Sequence, residues 1–134
     1  MSKLDLRIYY EDTDFSGFVY HARYLHFFER GRTEALRDLG IDQRILFEAD
    51  DGPFAFVVRH MTIDFRSPAR MDDLVEVETS IARIAGASLV MDQTMRRGED
   101  MLCEAKVTIA FLAKGRPARL PPRLRDKLVA LHNS

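Results

Sequence analysis

The chain has 134 residues, 46% hydrophobic and 31% charged, with 20 basic against 21 acidic side chains. This suffices for one packed core, so 1–134 reads as a single domain, and the net charge of -1 supplies no global field toward nucleic acid or anionic membranes. The single cysteine, Cys103, excludes an internal disulfide and a multi-cysteine zinc site.

The first residues, Met1-Ser2-Lys3-Leu4-Asp5-Leu6-Arg7, lack the apolar core of a signal peptide. The longest purely apolar runs, such as 54–58, fall far short of the ~20 residues that span a bilayer. A cytoplasmic protein without a membrane span is expected. Leu4, Leu6, Ile8 and Tyr10 alternate with Asp5, Arg7 and Tyr9, which predicts a half-buried strand over 4–10. An acidic loop follows. From about Ala22 the period changes: Tyr24, Phe28, Gly31, Ala35 and Leu39 recur at spacings of four, three, four and four, widened by Leu25, Phe27 and Leu36. This predicts an apolar helix of roughly 18 residues and ~27 Å, stopped at Gly40. Gly31 lies on the buried stripe, where its missing side chain lets a strand approach closely, at a cost of ~1 kcal/mol relative to alanine.

A short second helix is expected over 42–49, then a turn at Asp50-Asp51-Gly52-Pro53. Strands are expected over 54–66, 74–84, 88–95 and 103–111, joined by a loop at 67–73 and turns at Ala85-Gly86 and Arg97-Gly98-Glu99-Asp100. The tail is rich in proline and arginine over 116–122, with a short terminal helix over 123–132. Consecutive strands on short turns imply an antiparallel sheet, and the long helix must bury its stripe. The fold class is therefore α+β, a curved sheet wrapped around one long central helix.

Chemistry concentrates before that helix. Asp12-Thr13-Asp14-Phe15-Ser16-Gly17 matches the opening of a calcium loop, but the twelfth position, which needs a bidentate glutamate, is Arg23. His21 and His26 are five apart rather than the four that aligns zinc ligands on a helix, and His26 with Glu29 lacks a second pair. No metal is expected. Two readings of the acids stay open at this point. Asp12 and Asp14 cap turns, or one of them is catalytic. A carboxylate near a helix N-terminus faces free N–H groups. Those groups could polarise a substrate carbonyl while the carboxylate attacks it or deprotonates a water. Acyl transfer to water is the matching reaction class. His21, at the presumed helix start, can reach the acidic loop, although a lone histidine there is also readily structural. Cys103 reads as a small core residue. No Gly-x-Ser-x-Gly elbow, phosphate loop or dinucleotide fingerprint occurs, so no cofactor is expected. Arg59, Arg66, Arg70, Arg83, Arg96 and Arg97 read mostly as solvated strand edges, some of which could bind phosphates bidentately.

The segment Tyr10-Glu11-Asp12-Thr13-Asp14-Phe15-Ser16-Gly17-Phe18-Val19-Tyr20-His21-Ala22-Arg23-Tyr24 resembles the signature of hotdog-fold acyl-CoA thioesterases of the 4-hydroxybenzoyl-CoA thioesterase type. Within that group it is most similar to the YbgC subfamily, associated with the Tol-Pal cell-envelope system. Phe56-Val57-Val58-Arg59, Ser67-Pro68-Ala69-Arg70-Met71-Asp72-Asp73 and Gly86-Ala87-Ser88-Leu89-Val90 resemble the family in the expected order, so the likeness runs from about Leu6 to Phe111. The resemblance implies a hotdog fold and homodimers with joined sheets, commonly paired into homotetramers, with the active site at the dimer interface. It implies an acyl-CoA substrate, with acyl carrier protein as another carrier. It also implies Asp14 as the catalytic acid, Tyr10 and His21 beside it, and the backbone N–H at His21 on the thioester carbonyl. Gly17, Val19, Tyr20 and Tyr24 in the signature, with Arg59 and Arg70 in the further segments, are the expected substrate-binding residues. Phe15-Ser16 departs from the small or proline-containing pair that relatives often carry. The expected function is hydrolysis of a short-chain or aromatic acyl-CoA to free acid and CoA. The alternatives are a non-hydrolytic hotdog module binding acyl-CoA or acyl carrier protein, which needs neither Asp14 nor His21, and a dehydratase acting on enoyl-CoA.

Overall fold

The period-two pattern at the start of the chain forms β1 (Ser2–Arg7), and the computed structural model describes residues 1–132. Alternation runs on to the buried Ile8, but Tyr10 leaves the strand, because Tyr10–Asp12 make a 3-10 turn. The cause is Asp12, whose carboxylate accepts the Tyr9 N–H at 2.8 Å and turns the backbone before the strand can continue.

The apolar stripe becomes α1 (Arg23–Asp38), which buries Tyr24, Phe27, Phe28, Gly31, Ala35 and Leu36. Leu25, expected on the stripe, is 41% exposed, while Arg32, seven residues further on the same flank, is 8% exposed. That flank is covered at mid-helix and open in the first turn. Asp42 caps α2 (Gln43–Glu48) by accepting the N–H groups of Arg44 and Ile45.

The remaining strands are β2 (Phe54–Phe65), β3 (Leu74–Ile84), β4 (Ser88–Arg97) and β5 (Asp100–Ala113). They pair antiparallel in the order β1-β3-β4-β5-β2, which leaves β1 and β2 on the outside. Residues 116 and 117, expected in an irregular tail, instead form β6 (Arg116–Pro117), which pairs back on β5 after a turn at Lys114 and Gly115 with positive φ. Such a position at a sheet margin suits a proline, which cannot donate to a ladder. The final helix, α3 (Pro122–His132), packs Leu124, Leu128 and Leu131 into the core.

Helix and sheet approach closely at Gly31. A Cβ there would lie 2.7 Å from Val77 Cγ1 and 3.1 Å from both Thr79 Oγ1 and Gln93 Nε2. The polar groups at this crossing are satisfied. Gln93 Nε2 donates to the Phe28 carbonyl and to Thr79 Oγ1, each at 2.9 Å, and Gln93 Oε1 accepts from Arg32 Nη1 at 3.0 Å. The result is an antiparallel sheet wrapped around one long helix, the hotdog arrangement.

Candidate active site

Between the 3-10 turn and α1 the chain doubles back on itself. The Asp14 N–H donates to the Phe18 carbonyl at 2.9 Å, and the Gly17 N–H donates to the Asp14 carbonyl at 3.0 Å. Gly17 takes φ of +86°, the left-handed conformation that this tight reversal requires. The loop is anchored to the 67–73 segment: the Val19 N–H donates to the Ala69 carbonyl at 2.9 Å, and Phe18 bridges Arg70. Tyr24, on the first turn of α1, accepts the buried Ala69 N–H at 3.0 Å through its hydroxyl. The same segment is held from the sheet by Asp73, which accepts the Arg70 N–H at 2.9 Å and Arg97 Nη1 at 2.8 Å. Two stretches some fifty residues apart in sequence thus form the walls of one cleft.

The two acids of the loop are handled differently. Asp12 is 5% exposed and accepts the Tyr9 N–H at 2.8 Å and Arg23 Nε at 2.9 Å. Its backbone carbonyl also accepts the Tyr20 N–H. Arg23, the residue that spoils the calcium pattern, therefore supplies the cation itself. Asp14 is exposed, and its Oδ1 accepts both the N–H of Ser16, at 2.8 Å, and the Ser16 hydroxyl. Among the described residues Oδ2 has no partner. The Ser16 hydroxyl, then the Ser16 N–H and more weakly His21, hold the Asp14 carboxyl below the usual carboxylate range, against a smaller opposing effect of desolvation. Asp14 is ionised over the physiological range.

Asp14 opens onto a cleft of about 330 Å³. Its polar lining includes Asp14, Ser16, His21 and Arg66, and its apolar lining includes Phe18, Val19, Tyr24 and Phe65. Phe65 meets the Tyr24 ring edge-on, with centroids 5.3 Å apart. His21 lies just before α1, its ring 4.5 Å from that of Tyr20. Among the described residues, no acceptor takes the backbone N–H of His21 or Ala22. Two donors are therefore unspent at the approach to the helix, where its partial positive charge lies.

Of the residues expected at the site, Asp14, His21, Val19 and Tyr24 line the cleft, and Gly17 shapes the loop that carries Asp14. Tyr20 is 47% exposed beside His21, and Arg70 sits over the Phe18 ring at 5.2 Å from its centroid. Tyr10 and Arg59 are not brought to this cleft. Tyr10 is 81% exposed on the 3-10 turn, and Arg59 is exposed at the β2 bulge between Val58 and His60. Beyond the expected site residues, the lining adds Ser16, Phe18, Phe65, Arg66, Ser67 and Pro68. A serine two residues after an aspartate is a recognisable turn signal. Phe65 and Arg66 arrive only because β2 ends beside the loop. Cys103 is buried on β5, where burial, aided by Asp64 and Glu104, pushes its thiol up to about 12, consistent with an inert core residue.

A family model described as the thioesterase superfamily matches residues 16–104. Over 122 residues the chain is 45% identical to an acyl-CoA thioesterase YbgC of Haemophilus influenzae, covering 90% of this chain and 88% of that protein. It is 42% identical over 125 residues to an acyl-CoA thioester hydrolase YbgC of Escherichia coli O157:H7, covering 92% and 89%. Among solved structures, a probable thioesterase from Bartonella henselae superposes with a TM-score of 0.86 at 50% identity, covering 89% of this chain and 98% of that one. The fold is that of a hotdog thioesterase. The chain belongs to the thioesterase superfamily, in its YbgC group of acyl-CoA thioesterases.

Proposed function

We propose that the protein hydrolyses short-chain or aromatic acyl-CoA thioesters to the free acid and CoA, with Asp14 as the working acid. One observation carries this reading: the Asp14 carboxylate faces the cleft with Oδ2 unpaired, beside a helix approach whose His21 and Ala22 N–H groups have no acceptor. Those N–H groups suit the oxyanion that forms when the thioester carbonyl is attacked. Asp14 acts as general base, taking a proton from the attacking water, or as nucleophile, forming a mixed anhydride that water then opens. In both routes the C–S bond breaks, and the thiolate leaves as CoA with a proton. His21 is assigned to orienting water or substrate, Gly17, Val19, Tyr20 and Tyr24 to shaping the acyl site, and Arg70 to holding CoA. Tyr10 and Arg59, which lie outside this cleft within one protomer, keep their roles toward water and CoA only at a site completed by a second copy of the chain. The aromatic lining by Phe18, Tyr24 and Phe65 and the cleft volume of about 330 Å³ support a short or aromatic acyl group.

A homodimer with joined sheets, or a tetramer of two such dimers, belongs to the same reading. Its support is the outer strand β2, where Val57, Val58 and Phe65 are 38%, 47% and 51% exposed beside an unpaired backbone edge. Light scattering of the purified protein tests it: a monomer at assay concentration would count against a site completed at the interface. Among the described residues no helix is long and apolar enough to cross a membrane. We place the enzyme in the cytoplasm, serving the Tol-Pal envelope system, on its resemblance to the YbgC subfamily. Loss of its gene should then weaken the envelope toward detergents.

The decisive measurement is release of free thiol from a panel of acyl-CoAs and acylated carrier proteins. Turnover that disappears in Asp14→Asn, with the fold intact, supports the assignment. Binding without turnover in the parent protein would favour a non-hydrolytic module, and hydration of enoyl-CoA a dehydratase. Single-turnover hydrolysis in heavy-oxygen water separates the two roles of Asp14, because only the nucleophile acquires label in its carboxylate.

A further inference from the structure

We infer that Ser16 is a positioning residue for hydrolysis, fixing the Asp14 carboxylate so that Oδ2 is the oxygen presented to the reacting carbonyl or water. Its N–H, at 2.8 Å, and its hydroxyl both donate to the same atom, Oδ1. The hydroxyl has a defined direction, because its oxygen accepts the Phe18 N–H at 3.3 Å while its hydrogen goes to Asp14. The Asp14 backbone is also fixed at both ends, N–H to the Phe18 carbonyl and carbonyl to the Gly17 N–H. An exposed aspartate would ordinarily sample several rotamers. Here the side chain is held from one side by two neutral donors, and its second oxygen is left without a partner. Holding a reacting group in its productive geometry removes an entropic part of the barrier. Neutral donors do so without cancelling the charge that the chemistry uses.

The other groups around Asp14 do not perform this task. His21 lines the cleft from the approach to α1 and acts on the carboxyl only through space. Arg66, from the end of β2, is ion-paired with Glu104. The Tyr24 hydroxyl is engaged by the Ala69 N–H, and Arg23 is engaged by Asp12.

This inference rests on the thioesterase reading, and one assay separates the two. On the best acyl-CoA of the panel, Ser16→Ala should lower kcat about tenfold, the lower range for a hydrogen bond to a charged group, while KM changes less than about twofold. The acid limb of the kcat profile should move to higher pH, because the carboxylate loses the stronger of the donors that keep it ionised. Ser16→Thr, which retains the hydroxyl, should restore both. An unchanged kcat and acid limb in Ser16→Ala, beside an inactive Asp14→Asn, would overturn the role of Ser16 alone. A loss of kcat without movement of the limb, and without rescue by threonine, would overturn it equally. Wild-type turnover in Asp14→Asn would overturn the underlying reading instead.

Discussion

Asp12 is 5% exposed and bonded to the Tyr9 N–H and Arg23 Nε, whereas Asp14, two residues further along the same loop, is exposed and takes both of its bonds on one oxygen. The first carboxylate is neutralised by a cation and joins the 3-10 turn to the first residue of α1. The second is held by the N–H and hydroxyl of a serine, which stabilise its charge without cancelling it. The contrast shows how a short acidic motif divides labour. A buried ion pair sets the geometry of the loop, and the acid held by neutral donors is the one we propose for the chemistry.

The largest way to test that division is Asp14→Asn. It should lower thiol release by at least about 100-fold, as expected for loss of a general base, and leave the melting temperature unchanged because the side chain is exposed. The same acid sets a pH dependence. Its folded pKa is lowered, so the ionised form persists into acid, and activity should fall only as pH drops through a value below the ordinary carboxylate range. A limb near neutrality would point to another titrating group.

Asp12→Ala should do the reverse. It leaves the Tyr9 N–H and the partly buried Arg23 without their acceptor, which should cost about 2–3 kcal/mol in urea unfolding. A variant as stable as the parent would erase the distinction between the two acids. Tyr24→Phe should have a smaller effect, about 1–2 kcal/mol, because the buried Ala69 N–H loses its acceptor. It should also raise KM by loosening the 67–73 wall. The smallest change is expected at Gly31→Ala, roughly 1 kcal/mol destabilising. The 2.7 Å approach to Val77 Cγ1 requires the sheet to give way, and the better helix propensity of alanine offsets part of that cost. Activity per folded molecule should be retained there, since the contact lies away from the cleft.

Much of the fold was legible because burial repeats locally. The stripe through Tyr24, Phe28, Gly31 and Ala35 and the alternation from Leu74 to Ile84 place α1 and β3 within a residue or two. Tyr10 was misplaced because a side-chain bond from Asp12 to the Tyr9 N–H overrides strand periodicity, and no hydrophobic pattern records such a bond. Arg32 was not legible as a buried residue, since its acceptor, Gln93, lies 61 positions away.

By itself the sequence determined the long helix and the main strands, the single sheet around that helix, and an acid, a turn glycine and a histidine placed just before it. These follow from periodicity and from short-range turn chemistry, which neighbouring residues carry. Only the tertiary structure decided that Asp12 is neutralised and Asp14 is not, and that Phe65 and Arg66, rather than Tyr10 or Arg59, line the cleft in this chain. Those outcomes depend on the pairing of Val19 with Ala69 and on where β2 ends against the loop. Both are long-range registers, set by how the sheet closes on the helix, and residues adjacent in sequence do not encode them.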